Sequence, residues 1–159
     1  MPITTDALRE ISQRAEALHR QSRDLLTDGV RRAAREGYSQ RAIAAAIGRS
    51  QPEVSRLLRF VPHSDHGRRL AAYRRDVLDL ASQHGVTNVR VFGSTARGTG
   101  QPASDIDLLV DVAPGVGMFG LARLEITLSK LLGLPVDVVP ATSLRDRIAE
   151  DVMNEAIPL

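Results

Sequence analysis

A glycine–serine pair followed by two aspartates provides the residue types that bind phosphate and metal ions. Gly93-Ser94 follows an apolar run, and Asp105 and Asp107 come after ten further residues. Glycine lets a backbone approach a triphosphate closely, and N–H groups at the start of a helix can bind its oxygens together with the serine hydroxyl. The pair therefore predicts a triphosphate anchor where a strand gives way to a helix.

The aspartates predict a metal site. Asp105 and Asp107 are two residues apart on a predicted strand, so both carboxylates leave one face and can share hard cations such as Mg²⁺ or Mn²⁺. If Asp137, on a separate predicted strand, reaches that face, it completes a three-carboxylate site. Such a site can hold a metal on an α-phosphate and help activate a hydroxyl, so the chemistry would be in-line nucleotidyl transfer with pyrophosphate leaving. The plain alternative is a turn cap at Asp105 and a solvated strand residue at Asp107.

Composition narrows the classes of protein and of metal site. The chain has no cysteine, which excludes disulfides, thiolate zinc sites and cysteine nucleophiles. Its four histidines show no metal-ligand spacing, so carboxylates are the expected ligands. No apolar stretch approaches the roughly 18 residues of a membrane helix, and residues 1–20 are charged and periodic, unlike a signal peptide. We therefore expect a cytoplasmic protein that does not enter a membrane.

Charge is distributed unevenly along the chain. Residues 1–75 contain 15 arginines and 8 acidic residues, a net charge of +7, whereas the remainder contains 6 basic and 11 acidic residues, a net charge of −5. A basic region attracts nucleic-acid phosphates by releasing counterions, although basic residues also simply keep a surface soluble. The asymmetry predicts different partners for the two halves.

Hydrophobic spacing in the second half predicts the elements that must position the aspartates. Ile106, Leu108 and Val110 alternate with Asp105, Asp107 and Asp111, which predicts a strand with one apolar and one acidic face. Ser143 and Asp146 have the spacing of a capping box that opens a last helix. The other predicted elements are a helix over 70–80 stopped by Gly85, strands at Val86–Phe92 and 136–139, and a helix at Met118–Leu132.

The Gly-Ser-x10-Asp-x-Asp string that begins at Gly93 resembles the signature of the DNA polymerase β-like nucleotidyltransferases. The fuller string GSTARGTGQPASDIDLLVDV is similar to their minimal prokaryotic members, and the resemblance covers residues 70–159, including VDVV and the terminal EAIPL. It implies an α+β fold, in which a small mixed sheet is flanked by helices, and a dependence on Mg²⁺. The implied catalytic and metal-binding triad is Asp105, Asp107 and Asp137.

The same resemblance implies a function. Many minimal members are antitoxins that nucleotidylate a neighbouring HEPN-type toxin on a hydroxyl, usually transferring AMP, so ATP or another nucleoside triphosphate is the implied substrate. Arg97 fits the family's Ala-Arg-Gly turn and is predicted to contact phosphate with Gly93 and Ser94; the alternative is an exposed turn arginine. Because few residues follow Asp137, we expect an open acceptor side that favours a macromolecule over a small ligand.

The first half is predicted to be helical. Apolar residues at alternating spacings of three and four predict an amphipathic helix over residues 6–27, and a second helical stretch covers residues 29–36 before Gly37. We expect the apolar stripe of the first helix to pack onto the following helices; the alternative is a short dimerising coiled coil. The stripe consists of Leu8, Ile11, Ala15, Leu18 and Leu25.

Residues 37–60 resemble a helix-turn-helix. Ser39 caps the first short helix, Gly48 closes it, and the recognition helix begins at Gln51. The resemblance implies DNA binding, and a homodimer where the sites are palindromic; the alternative is a three-helix pack with an arginine-rich solvated face. The side chains predicted to contact bases are Gln51, Ser55 and Arg56, and those predicted to contact phosphates are Arg41, Arg49 and Arg59.

Together these interpretations divide the chain into a helical region, residues 1–64, and a catalytic domain, residues 65–159, with a linker at 61–67. The resulting hypothesis is an antitoxin enzyme that modifies its toxin and binds DNA to autoregulate its operon. Two alternatives stay open. One is a DNA-binding regulator whose nucleotidyltransferase domain is not catalytic, and the other is a toxin that adds nucleotides to transfer RNA.

Overall fold

The computed structural model describes residues 3–159 and divides the chain into two compact units, residues 1–58 and 59–159. The predicted boundary lay six residues further on, near Asp65. Residues 59–64 belong to the second unit, where the Phe60 N–H donates to the Pro158 carbonyl at 3.2 Å. Within the described residues, no helix has both the length and the apolar character needed to cross a bilayer.

The first unit consists of three helices: α1 (Thr5–Arg35), α2 (Gln40–Ile47) and α3 (Gln51–Leu58). The prediction of two helices over residues 6–36 was wrong, because α1 is continuous through Gly29. A single glycine in a helix costs only about 1 kcal/mol relative to alanine, which is too little to end a helix that is supported on both sides. The buried core of this unit is formed by Val30, Ile43, Ala44 and Val54.

The apolar stripe of α1 does not pack onto α2 and α3, so that prediction was also wrong. Leu8, Ile11 and Leu18 are 51%, 55% and 58% exposed, and Leu25 is 76% exposed. Only the carboxyl-terminal part of α1 enters the core, through the buried Val30 and its partly buried neighbours. The residues before it extend past the two short helices into solvent.

The turn between α2 and α3 follows the predicted caps. The Ser39 hydroxyl accepts a hydrogen bond from the Ala42 N–H at 3.1 Å, and Gly48 ends α2 in the left-handed region with φ +66°. At the start of α3 the Ser50 N–H donates to the Glu53 carboxylate at 2.9 Å. Each short helix therefore begins with a backbone N–H bonded to a local side chain, and α2 ends with the Gly48 N–H bonded to backbone carbonyls.

The second unit alternates helices and strands around one sheet. The helices are α4 (Asp65–Ala72), α5 (Arg74–Gln83), α6 (Gly93–Arg97), α7 (Met118–Leu132) and α8 (Asp146–Glu155), with a 3₁₀ turn at Ala141–Ser143. The strands are β1 (Val86–Phe92), β2 (Ile106–Val112), β3 (Val136–Pro140) and β4 (Ile157–Pro158).

The sheet is mixed, with the order β3-β2-β1-β4. β2 pairs with β3 in parallel, whereas β1 pairs antiparallel with both β2 and β4. Buried side chains on one face, such as Ile106 and Leu108, pack against Leu124 and Leu128 of α7 and Val77 of α5. The predicted α+β fold, a small mixed sheet flanked by helices, is confirmed. Because side chains alternate along a strand, Asp107 lies on the face opposite Ile106 and Leu108.

Two local predictions in this unit were wrong. The helix expected over 70–80 is two helices that meet at Tyr73, and the first begins at Asp65 inside the predicted linker, capped by the Ser64 hydroxyl. The predicted capping box does not form, because the Ser143 hydroxyl donates to the Pro140 carbonyl at 2.8 Å and Arg145 occupies the cap position of α8. Ser143 thus stabilises the preceding 3₁₀ turn.

Candidate active site

Gly93 sits where β1 passes into α6, beside Asp107. Its φ is +67°, in the left-handed region that favours glycine. A Cβ at this position would overlap the Asp107 Oδ2 atom and lie 3.2 Å from its Cγ. Both the backbone angle and the close carboxylate therefore require glycine here.

The sheet brings the predicted aspartates to one face. In the parallel pair of β2 and β3, Asp107 is the register partner of Asp137, so both side chains leave the same side of the sheet. Asp105 directly precedes β2, and its negative charge acts on the Asp107 carboxylate two residues later. The chain segment before Asp105 is a turn in which the Gln101 N–H donates to the Ser104 hydroxyl at 2.9 Å. That turn leads directly into the acidic edge.

The carboxylates interact electrostatically. Partial burial raises the pKa of Asp107, and the negative charges of Asp137 and Asp105 raise it further. Arg97 acts in the opposite direction, and Glu155 adds to the increase. Burial is the largest cause of the raised pKa, and the nearby anions that add to it create a negative region that would favour a bound cation.

Coordination of a metal would need these side chains to turn toward a common point. As placed, no three acidic or imidazole side chains among residues 3–159 converge closely enough to ligate one ion. The donor chemistry nevertheless fits Mg²⁺ or Mn²⁺, because carboxylate oxygens are the ligands that these hard cations prefer. Uncompensated carboxylates repel one another, and a cation placed among them would remove that repulsion.

Glu155, the last residue of α8, is a site neighbour that sequence reasoning missed. Its carboxylate accepts a hydrogen bond from the Gly93 N–H at 3.2 Å and forms an ion pair with the Arg97 guanidinium. The side chain is 23% exposed. The sequence contained no spacing signal for this contact, because Glu155 is 62 residues from Gly93. Only the terminal EAIPL string included it, without a role.

Glu155 also changes the picture for Arg97. The sequence offered a phosphate contact or an exposed turn arginine, and the structure instead pairs Arg97 with Glu155 while leaving the Arg97 side chain 55% exposed. Ser94 is half-buried in the same short helix, and its carbonyl accepts the Thr99 N–H at 3.0 Å. The α6 turn is therefore held by a side-chain ion pair at Arg97 and by a backbone hydrogen bond at Ser94.

The predicted DNA-contacting residues of the first unit lie on α2, α3 and the turn between them. Gln51 donates a side-chain hydrogen bond to Gln40 at 3.1 Å, and Arg49 forms an exposed ion pair with Glu53 at 3.4 Å. Arg59 belongs to the second unit. The first-unit candidates are the exposed Arg41, Arg49, Gln51 and Arg56 and the half-buried Ser55.

Comparison with known proteins gives a consistent set of matches. The nucleotidyltransferase domain model matches residues 71–159. The protein adenylyltransferase MntA of Thermococcus cleftensis is 38% identical over 88 residues, which cover 55% of this chain and 86% of MntA. The candidate protein adenylyltransferase MJ0435 of Methanocaldococcus jannaschii is 34% identical over 84 residues, 53% of this chain and 90% of that protein. The solved structure of a candidate minimal nucleotidyltransferase has 46% identity and a TM-score of 0.55, over 58% of this chain and 95% of that one.

Proposed function

We propose that this chain, which belongs to the nucleotidyltransferase domain family and is a nucleotidyltransferase, transfers AMP from ATP to a hydroxyl of a partner protein. The observation that carries the proposal is the register of Asp107 with Asp137 beside the Gly93 turn. Relatives that are protein adenylyltransferases support a protein as the acceptor. The partner we propose is a HEPN-type toxin, so that the chain acts as its antitoxin.

In this proposal the three aspartates hold the divalent cation. Asp105, Asp107 and Asp137 supply carboxylate oxygens from one face of the sheet. When bound there, Mg²⁺ or Mn²⁺ would neutralise phosphate charge and favour the deprotonated form of the attacking hydroxyl. The raised pKa of Asp107 supports this role, because a cation placed among the carboxylates offsets the repulsion from Asp137 and Asp105.

The phosphates of ATP are proposed to bind at the Gly93 turn. Gly93 holds the turn in its left-handed conformation beside Asp107, and the Ser94 hydroxyl can donate to a phosphate oxygen. Arg97 can contribute its charge from the end of the same short helix. We propose that these groups orient the α-phosphate for in-line attack, with pyrophosphate as the leaving group.

The first unit is proposed to bind operator DNA and so repress the operon that encodes the chain. Support comes from two short capped helices joined at Gly48 and from the exposed Gln51 and Arg56 on α3. In a helix-turn-helix the early residues of the second helix reach base edges. Arg41 and Arg49 of the first unit are proposed to bind phosphates, and so is Arg59, the first residue of the second unit. A duplex of the native promoter should bind more tightly than random DNA of equal length; equal affinities would remove regulation from the proposal.

Transfer is tested with labelled ATP, Mg²⁺ and the protein encoded by the neighbouring gene. The wild-type chain should label that protein, and Asp107→Asn should reduce the rate by at least about 10³-fold. An Asp79→Asn variant, changed at an exposed carboxylate on α5, serves as a matched control with unchanged activity. Equal labelling by Asp107→Asn would overturn the assignment, and labelling of transfer RNA alone would replace the protein acceptor by RNA.

A further inference from the structure

The exposed stripe of α1 has a heptad spacing. From Leu8 the positions that fall on one helix face alternate at intervals of three and four as far as Gly29. This 3.5-residue period is that of the core positions a and d of a coiled coil. The seven positions are Leu8, Ile11, Ala15, Leu18, Ser22, Leu25 and Gly29, all of them exposed, and we call this set the α1 seam.

The charged residues of α1 lie outside the seam. None of the seven seam residues is charged, and Arg32 is the first charged residue to occupy a continuing seam position. The Arg9–Asp6 ion pair, with an N–O distance of 2.6 Å, lies on the outward face. An uncharged apolar seam bordered by a charged outward face is the pattern of a helix that pairs with another helix.

Side-chain sizes along the seam fit a second copy running in the opposite direction. A two-fold antiparallel pairing places Ala15 against Leu18 of the second copy, and Ser22 against Ile11 of the second copy. Leu8 then meets Leu25 of the second copy. Ala15 and Ser22 thus each face a large residue, whereas a parallel pairing would stack Ala15 on Ala15 and Ser22 on Ser22 and leave voids.

The same antiparallel pairing would place residues of the second copy in a groove beside the carboxyl-terminal part of α1. An apolar groove of about 740 Å³ lies between α1 and α2, with Leu26, Gly29 and Tyr38 among its walls. The register that pairs Leu8 with Leu25 brings the residues just before Leu8 of the second copy over Gly29. A Cβ at Gly29 would meet nothing within 4 Å, so the helix is open to close approach there. Ile3, 57% exposed at the start of the chain, supplies an apolar side chain for this groove.

We propose that the chain is a homodimer held by an antiparallel two-fold coiled coil of its α1 seams, with residues 3–7 of each copy seated in the other copy's α1–α2 groove. Isolated helices are marginal in water, so a long helix with an unburied apolar face is stabilised by such a partner. The proposal goes beyond the enzymatic function and would present two recognition helices to DNA.

Sedimentation of the full chain tests the proposal. The wild type should sediment at twice the chain mass at tens of micromolar. Leu18→Glu should raise the dimer dissociation constant at least roughly 100-fold, because each copy would bury a charge in the seam. Ala17→Glu, at an exposed position outside the seam, is the matched control and should leave the dimer intact. A monomeric wild type, or a Leu18→Glu variant that stays dimeric, would overturn the proposal.

Cysteine pairing tests the direction, since the native chain has no cysteine. A mixture of Leu8→Cys and Leu25→Cys chains should form a disulfide-linked dimer on mild oxidation, and neither variant should do so alone. Cross-linking of each variant with itself would instead show parallel helices and rule out the antiparallel arrangement. Adenylyl transfer assayed on Leu18→Glu should be unchanged, so loss of the dimer and failure of the catalytic proposal give different results.

Discussion

At the scale of single residues, the candidate site depends on how close Gly93 lies to Asp107. The positive φ of Gly93 and the space it leaves for the Asp107 carboxylate are two separate demands for glycine. The carboxylate in turn carries a raised pKa because of burial and of the neighbouring Asp137 and Asp105. A backbone turn suited to phosphate and a group of carboxylates suited to metal thus share one small volume, as phosphoryl transfer requires.

A comparison of Gly93→Ala with Gly115→Ala separates the effect of the positive φ from the effect of the nearby Asp107 carboxylate. Gly115 has φ +88°, but a Cβ there would meet nothing within 4 Å. We expect Gly115→Ala to cost about 1 kcal/mol from backbone strain alone and to keep activity. Gly93→Ala should cost more and lower the transfer rate at least about 100-fold, because the turn and Asp107 must move apart. Urea unfolding and a transfer assay measure both, and equal effects of the two variants would contradict the close packing.

Asp107→Asn should stabilise the fold while removing activity. Because burial and nearby anions raise the folded pKa of Asp107, its stability contribution is present below the unfolded pKa and is lost as pH rises through the folded pKa. The carboxylate is only half-buried, so screening limits the gain at neutral pH to below about 1 kcal/mol, or roughly 2–4 °C in Tm. The difference from wild type should shrink near about pH 3.

The change in Tm that Mg²⁺ or Mn²⁺ causes in the wild type and in Asp107→Asn is a second test of the same site. Mg²⁺ or Mn²⁺ should raise the Tm of the wild type, because an ion that binds only the folded chain stabilises it. The same ion should have a smaller effect on Asp107→Asn, which lacks one carboxylate. Thermal scans with increasing Mn²⁺ measure this, and identical shifts for both proteins would place the cation elsewhere.

At the scale of elements, α8 is tied to α6 through Glu155. One carboxylate oxygen accepts the Gly93 N–H at 3.2 Å, and the other pairs with Arg97. The strand pair β2–β3 provides the aspartates, while the α6–α8 contact sets the turn beside them. Arg97 and Glu155 also act on Asp107 in opposite electrostatic directions. The site is therefore supported by the last helix as well as by the sheet.

Glu155 variants test the contact between α6 and α8. Glu155→Ala should cost about 1–3 kcal/mol, because it leaves the partly buried Gly93 N–H without an acceptor. Glu155→Gln keeps an acceptor oxygen and loses mainly an ion pair with the exposed Arg97, so about 1 kcal/mol or less is expected. Glu150→Ala, exposed on the same helix, should stay within about 0.5 kcal/mol of wild type. Urea unfolding decides, and equal costs for Ala and Gln would refute the backbone contact.

At the scale of the whole molecule, a basic stretch and an acidic stretch are joined in one chain. Residues 1–75 have a net charge of +7, of which +3 lies in the helical unit proposed to bind DNA, residues 1–58, and +4 lies in residues 59–75 of the second unit. The remaining residues, 76–159, have a net charge of −5 and contain the three aspartates of the candidate site. An acidic surface disfavours nucleic acid and favours cations, so the two proposed activities reside in different parts of the chain.

Separate activities predict separable variants. Arg56→Ala should weaken operator binding by about 10-fold or more and leave adenylyl transfer unchanged, because Arg56 lies on α3 of the first unit. Asp107→Asn should do the reverse. Fluorescence anisotropy with operator DNA at about 50 and 200 mM salt measures affinity and its salt dependence. A loss of DNA binding in Asp107→Asn would show that the two activities are coupled.

Local patterns in the sequence determined the elements that are stabilised locally, and with them half of the site. The β1 strand, the α7 helix and the caps at Ser39 and Gly48 follow from spacing and side-chain hydrogen bonds within a few residues. The strand period likewise places Asp105 and Asp107 on one face. The family resemblance, confirmed over residues 71–159, connected these residues to nucleotidyl transfer.

Tertiary structure alone decided what depends on distant pairing. Strand order is set by packing across the sheet, so only the parallel β2–β3 register brings Asp137 beside Asp107. Glu155 reaches Gly93 across 62 residues, a contact that no local pattern encodes. The α1 stripe has the same spacing whether it is buried or exposed, and only the positions of α2 and α3 show that it faces solvent. The spacing of apolar residues along the sequence shows which side of an element is apolar. The elements that cover that side depend on the rest of the fold.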